Sequence, residues 1–284
     1  MIGEIKEAGF DTVELGFNLT EKVLDGIVKL ADRKAISISS VHNFCPMPSG
    51  MPAEQASPDH FSLASHDQSE RKKAVDCTKR TMEVAKHLKA KVVVLHAGRI
   101  EIKDKTRKLY ELICRGENPA KFVKEMLEER NAKQPGHFKN VMSSLEDLAG
   151  HAKKVNIKIA VENRYYFREI PSFDELSMIF SHFGKNEIFY WHDMGHAQLF
   201  EHLGLQKHRD YLSAFSKYMT GIHIHDIIGI KDHKPPFSGE MDFSLIKPFI
   251  SDDDIIKVLE IHQPATSSDI KESVERLKSF ACQR

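Results

Sequence analysis

The sequence predicts a (β/α)8 barrel of the TIM type, apparently lacking its first strand at the N-terminus, built as a single domain over residues 1–284. Three observations predict it. Short apolar, β-branched runs alternate with amphipathic helical runs along the whole chain, the pattern of a parallel sheet with helices outside. Seven strand-like runs begin at Asp11, Ile36, Lys91, Ile157, Ile188, Gly221 and Ile255, one short of the eight in a closed barrel. Each of the seven ends in a carboxylate, an imidazole or both. The chain opens inside a helical pattern, so the missing strand is expected before Met1, or the barrel is open at one side.

Taken in order, Met1 to Gly9 reads as the tail of a helix stopped by Gly9. Asp11 to Phe17 is a strand, and Thr20 precedes a helix over Glu21 to Lys34 with apolar residues at helical spacing. Ile36 to His42 is the next strand. A polar loop rich in Pro, Met and Ser then runs to about Ser65, long enough to suggest a lid or binding loop. Ser69 to Lys89 is a helix, and Lys91 to His96 a strand buried on both faces. Arg99 to Asn156 is helical in pattern, with breaks expected at Gly116-Glu117-Asn118-Pro119 and at Gln134-Pro135-Gly136. After the strand Ile157 to Glu162, Ser172 and Glu175 form a capping box for a helix to Phe183. The strand from Ile188 ends at Asp193, and one helix is expected from there to about Tyr218. The strand Gly221 to His225, a Pro-rich loop, a short helix from Phe243, the strand Ile255 to Glu260 and a helix over Ser268 to Phe280 complete the chain.

Composition narrows the function. The 41 basic and 41 acidic side chains cancel, which argues against a dedicated nucleic-acid binder. There is no long apolar run and no signal peptide at Met1, so no membrane partner and a cytoplasmic location are expected. Cys45, Cys77, Cys114 and Cys282 are far apart and form no C-x-x-C pair, which fits free thiols in a reducing compartment. The 16 histidines are many for this length; His87, His151 and His208 read as residues of solvated helices.

The strand ends carry the chemistry. In order they are Glu14, His42, His96, Glu162, Asp193 with His196, His223 with His225 and Asp226, and Glu260 with His262. In barrels of this type reactive groups gather on that rim. An unpaired buried carboxylate is costly or takes up a proton, so Asp193 at the end of an apolar strand points to a metal ion or a reacting group. Mixed carboxylate and imidazole ligands suit Mn, Zn, Fe or Co better than Mg alone. Plainer roles compete at several positions. Glu162 also reads as half of a buried ion pair with Arg164, and His42 and His96 as hydrogen-bonded rim residues. His223 and His225 both point inward because strand side chains alternate, and only one need be a ligand. His192 faces the helices. Glu14 reads as a group that touches substrate or supports a ligand.

At these residues the chain resembles the xylose isomerase-like TIM-barrel superfamily, which holds sugar and sugar-phosphate isomerases and epimerases and also endonuclease IV. The segments that carry the resemblance are GFDTVEL at Gly9, VLHAG at Val94, AVENR at Ala160, HDMGHA at His192, HIHD at His223 and VLEIH at Val258. The resemblance implies one divalent metal (Mn, Co, Zn, Fe or Mg) held by Glu162, Asp193, His223 and Glu260. His223 is preferred to His225 because the family's ligand lies three residues before an acid, here Asp226. By the same analogy Glu162 and Glu260 are the acid/base pair that epimerises or isomerises a sugar or sugar phosphate through an enediolate, and His196 holds a substrate oxygen. A hydride shift would use the same ligands. An arginine that some sugar epimerases place after the histidine ligand is not evident, and Lys231 is the nearest base. Barrels of this kind often pair through their mouths, which would make a homo-oligomer.

Two rivals follow from the same residues. An endonuclease IV-like, multi-zinc phosphodiesterase acting on abasic DNA would use His42, His96, His196 and His233 as further ligands, with Asp232 beside them. Against it stand the zero net charge, the spacing of Lys231-Asp232-His233, and an aromatic loop (Tyr165, Tyr166, Phe167) after Glu162. The other rival is a non-catalytic sugar-binding barrel.

Overall fold

The computed structural model describes residues 2–282, except for the side chain of Ala53. Helix α1 (Ile2–Glu7) leads into β1 (Thr12–Leu15), α2 (Glu21–Asp32), β2 (Ser37–His42), α3 (Gln68–His87) and β3 (Val92–Leu95). Next come α4 (Thr106–Cys114), α5 (Ala120–Val155), β4 (Lys158–Glu162), α6 (Phe173–Phe183) and β5 (Phe189–Asp193). Helices α7 (Met194–His202) and α8 (His208–Phe215) precede β6 (Met219–Ile224), β7 (Asp226–Ile228) and β8 (Lys231–Lys234). Helix α9 (Lys247–Ile250), β9 (Ile256–Leu259) and α10 (Ser267–Cys282) follow. Met1, with which the N-terminal helix was expected to start, lies outside the described residues.

Seven strands form one parallel sheet in the order β1-β2-β3-β4-β5-β6-β9. It is a barrel-like sheet, nearly closed, with an unsealed seam between β9 and β1, as in an incomplete (β/α)8 barrel. The strand count expected from the sequence stands. Among the described residues no helix is long and apolar enough to cross a membrane.

Burial follows the two faces of the sheet. Outside, Leu95, Ile159, Val161, Tyr190 and Ile222 pack under the helices in one continuous cluster. Inside, Val92, Val94, Ala160 and Trp191 form a second, smaller one. Trp191 fills the barrel only because β6 carries Gly221 beside it; a Cβ there would run into the indole ring. The parallel register sets Glu162 at the level of Trp191, and Asp193 at the level of His223. The strand ends therefore share one rim.

Three expectations need correction. Helix α5 does not break at Pro135 but runs unbroken for 36 residues. Proline removes one donor and crowds the preceding turn. The following stretch is held by the long loop: His137 Nδ1 donates to the Ala64 carbonyl (2.8 Å), Asn140 Nδ2 to that of Ser65 (3.0 Å) and Ser144 Oγ to that of Leu63 (3.1 Å). The single helix expected up to Tyr218 is two, with Gly204 at φ 66° in the turn between them. The Pro-rich loop after β6 contains an antiparallel hairpin, β7–β8, which folds back over the rim. Elsewhere the local signals hold: Thr20 caps α2, and Ser172 with Glu175 forms the capping box of α6.

Candidate metal centre

Glu162 is the last residue of β4, Asp193 the last of β5, His223 lies near the end of β6, and Glu260 follows β9. Four neighbouring strands of the sheet, β4, β5, β6 and β9, thus present one potential ligand atom each, and these atoms lie within 4.8 Å of one another. His223 stands at the middle. Its Nδ1 is 2.9 Å from Glu162 Oε1, 3.0 Å from Glu260 Oε2 and 3.6 Å from Asp193 Oδ2. Its Nε2 is 2.8 Å from Glu14 Oε1, and Ser40 Oγ donates to the other oxygen of Glu14 at 2.6 Å. Glu14 therefore orients His223 and aims Nδ1 at the three carboxylates, as a carboxylate orients a metal-binding imidazole.

Acceptors at both ring nitrogens are a physical test of what this site is built to hold. A neutral imidazole has one N–H. His223 faces carboxylates on both sides, so it carries a second proton or a cation takes that proton's place. Burial opposes the proton, but Glu260, Glu14 and Glu162 outweigh it and hold the His223 pKa well above the usual range. Burial likewise opposes ionisation of Glu162, while His223, His42 and His96 around it push its pKa well below the usual carboxylate value. Asp193 is also held low against burial, by His196, His225 and His223. The donor set fits a divalent ion, since carboxylates that stay ionised beside imidazoles are what such an ion needs.

Three further groups adjoin the central one, and one of them, Asp193, His225, His233 and Glu260, shares both Asp193 and Glu260 with it; the other two lie on its flanks. His42, His96 and Glu162 form the first, and His196, Asp232 and His233 the second. His96 repeats the test: Nδ1 is 3.0 Å from Asp59 Oδ2 and Nε2 is 2.9 Å from Glu162 Oε2. Burial and the Arg164 charge disfavour its protonation, yet Asp59 and Glu162 prevail and raise its pKa. His42 Nδ1 donates to the Asn43 carbonyl (3.0 Å), leaving Nε2 to face Glu162. His196 Nδ1 donates to the Asn163 carbonyl (2.9 Å), leaving Nε2 facing Asp232. His42 and His196 can each present a lone pair inward because a backbone carbonyl takes the other nitrogen.

Asp232 and His233 are adjacent in sequence, a spacing that differs from an acid-x-histidine pair and counts against the nuclease reading. His233, however, adopts φ 54° within β8, and both side chains reach His196. Left-handed backbone at a histidine is uncommon, and a periodic sequence reading does not foresee it.

His225 takes another role. The His233 amide donates to His225 Nδ1 at 2.9 Å, so the proton sits on Nε2, which donates to both oxygens of Asp193 at 3.1 Å. His225 thus orients Asp193. Gly195 makes room for this ring, since a Cβ there would collide with it. Lys231 is exposed on the hairpin. Arg164 is buried, as half of an ion-pair system should be, but its nearer partners are Asp59 and Glu169 (3.0 Å each), with Glu162 at 3.8 Å. His208, expected on a solvated surface, is buried; its Nε2 is 2.9 Å from that of His192, which faces the helices as expected.

Some residues that build the site gave little signal in the sequence. Asp59 sits in the long loop, 37 positions before the His96 that it orients. Asn163 accepts the Asp193 amide through Oδ1 (2.8 Å), donates through Nδ2 to the Asp193 carbonyl (2.8 Å) and offers its own carbonyl to His196. Of the three loop aromatics, Phe167 is buried against Arg130, Tyr166 is exposed, and Tyr165 lies 5.7 Å from the His196 ring. Arg130 pins this loop by donating to the Phe167 and Glu169 carbonyls while pairing with Glu175.

Known proteins agree with this architecture. A relative from Sinorhizobium fredii, the uncharacterized protein y4fM, is 27% identical over 194 residues, 67% of this chain and 52% of the relative. The chain thus spans about half the length of that curated relative. Among solved structures, a D-tagatose 3-epimerase-like protein superposes with a TM-score of 0.65 at 21% identity, over 98% of this chain and 91% of the other. An L-ribulose 3-epimerase gives 0.69 at 14% identity, over 99% and 87%. The IOLI protein with a bound zinc atom gives 0.66 at 15%, over 99% and 91%. At such identities the likeness shows the fold. The family model described as a xylose isomerase-like TIM barrel matches residues 2–280, and the chain belongs to that family.

Proposed function

We propose that the protein is a divalent-metal-dependent isomerase or epimerase of a sugar or sugar phosphate, in which Glu162 and Glu260 exchange protons with the substrate. The observation that carries this reading is that both glutamates reach the same nitrogen, His223 Nδ1, at 2.9 and 3.0 Å. Each keeps one oxygen off His223: Glu162 Oε2 faces His96, and Glu260 Oε1 faces the mouth. Removing a proton next to a carbonyl needs a base on one face and stabilisation of the charge that grows on oxygen. A divalent ion held by Glu162, Asp193, His223 and Glu260 would supply that stabilisation as a Lewis acid. Glu162 takes or returns the proton on one face of the substrate, and Glu260 on the other. His196, kept in place by Asn163, offers Nε2 to a substrate oxygen, and Tyr165 beside it shields that side from water.

The test is Glu162→Gln and Glu260→Gln in metal-loaded protein assayed with ketoses and their phosphates. Both variants should melt cooperatively and lose turnover. Retained activity in both would sink the proton-transfer assignment, and turnover without uptake of solvent deuterium would replace it with a hydride shift.

A second reading, a multi-metal phosphodiesterase, is favoured by one observation: the outer groups His42/His96/Glu162 and His196/Asp232/His233 flank the central one. Several ions could clamp the attacking and leaving oxygens of a phosphodiester. Metal content per chain separates the two. About one ion fits the isomerase. Two or three zinc ions together with chelator-sensitive incision of abasic DNA would put the phosphodiesterase first.

A further inference from the structure

The four central residues differ sharply in access to solvent. The side chains of Asp193 and His223 have no exposure and that of Glu162 has 1%, whereas Glu260 is 25% exposed. Any ion that reaches the buried three must pass other groups first. Beside Glu260, His262 is 60% exposed, the outermost member of a column of three parallel imidazoles. The His262 and His233 rings are 3.9 Å apart at 4°, and His233 and His225 are 4.4 Å apart at 9°. The column is fixed by the backbone: the His262 amide donates to the His233 carbonyl at 3.1 Å, and the His233 amide to His225 Nδ1 at 2.9 Å.

The stack brackets the Glu260 carboxylate. His233 Nε2 is 3.5 Å from Oε2, the oxygen turned inward to His223, while His262 Nε2 is 3.9 Å from the outer oxygen, Oε1. A separation of 3.9 Å is too long for a hydrogen bond. It lies within the roughly 4.2 Å that two metal–ligand bonds of about 2.1 Å can span. We propose that His262 is the port of the metal centre: an incoming divalent ion is taken first between His262 Nε2 and Glu260 Oε1, then passes to Glu260 Oε2 and the buried ligands. A hydrated ion that gives up its waters one ligand at a time avoids losing its whole shell at once, which is the chemical advantage of an exposed first ligand. The inference rests on the metal-binding reading of the central group and not on the reaction assigned to it.

The chain holds one tryptophan, Trp191, whose ring lies 5.2 Å from that of His223. Its fluorescence therefore reports an ion reaching His223. In the test, cobalt(II) is mixed with metal-free protein in a stopped-flow instrument, and its release is followed after adding excess chelator. His262→Ala should slow association and release by the same factor, roughly tenfold, the size that single supporting groups carry at metal sites. The equilibrium affinity should not move, because a port lies on the path in both directions. His262→Cys, which restores a ligand, should recover both rates. An unchanged pair of rates would overturn the port. So would altered release with normal association, which would make His262 a ligand of the bound ion, or a shift in affinity through packing alone. Protein that binds no cobalt would overturn the port together with the metal-binding reading, whereas binding with no sugar turnover would leave the port standing and remove only the proposed reaction.

Discussion

Glu162 ends β4, a strand whose last four residues are all buried, while Glu260 follows β9, whose four residues are each half-buried beside the unsealed seam. Around Glu162 stand His42, His96 and Arg164, and behind it Asn163, Tyr190, His192 and His208 form a buried hydrogen-bonded chain. Glu260 faces His223 and His233 inward and His262 toward solvent. One flank is thus immobilised from several directions and the other is open. A metal centre needs both properties, since ligands must hold a fixed geometry yet an ion and a substrate must arrive. Here they are divided between two glutamates that would share one ion.

The largest expected effect follows from this division. In metal-free protein Glu162→Gln leaves His96 and His223, whose pKa values Glu162 helps to raise, without their shared counter-charge in a dry interior. Breaking one side of such a buried pair costs about 3–5 kcal/mol. Glu260→Gln removes a charge that is a quarter exposed and that water can partly replace, so the loss should be smaller than for Glu162→Gln. Urea unfolding of both variants and the parent measures the difference. Equal losses would break the comparison and show the two flanks to be equally rigid.

Much of this site was legible because strand ends have a position that the sequence marks: Glu162, Asp193 and Glu260 each close an apolar run. The rest had no such mark. Asp59 lies in a loop without periodicity. Asn163 is one polar residue after Glu162, and its three bonds to Asp193 and His196 arise only once β4 and β5 are paired. The β7–β8 hairpin was missed because Lys231-Asp232-His233-Lys234 has no apolar alternation; its strands pair over the rim instead of in a core. His208 was misplaced for the opposite reason, since a histidine on a helix reads as polar until its partner, His192, is seen to be buried with it. In α5, Pro135 carried a break signal that docking on residues 63–65 overrides. Tertiary contacts decide each of these cases.

The buried chain behind Glu162 gives a smaller effect that sharpens the comparison. Burial lowers the His208 pKa from its ordinary 6.5 to about 4, so the folded protein refuses a proton that the unfolded chain accepts between these values. The sign is then fixed: this contribution is complete above about pH 6.5 and is lost as pH falls toward 4. The loss amounts to about 3 kcal/mol by the usual conversion. Stability measured against pH should fall across this window in the parent and fall less steeply in His208→Gln. Parallel curves would mean that the chain behind Glu162 does not titrate on unfolding.

The smallest effect is a count of protons. His223 and His96 both have raised pKa values, so below those values a proton competes with an ion for either nitrogen and is released when the ion binds. An ion confined to the central group displaces one, from His223. A further ion at His42, His96 and Glu162 displaces another, from the closed flank. For each proton released, affinity should rise about tenfold per pH unit until the pH passes the raised pKa. Cobalt(II) titrations in weak buffer with an indicator dye read the number directly. His96→Gln should remove the second proton and leave the first, because His96 touches Glu162 from the side away from His223. One proton in the parent, unchanged by His96→Gln, would mean that the closed flank supports Glu162 without holding an ion of its own. A second proton that this variant abolishes would make the closed flank a metal position, and the open flank would then be the side through which both ions must come.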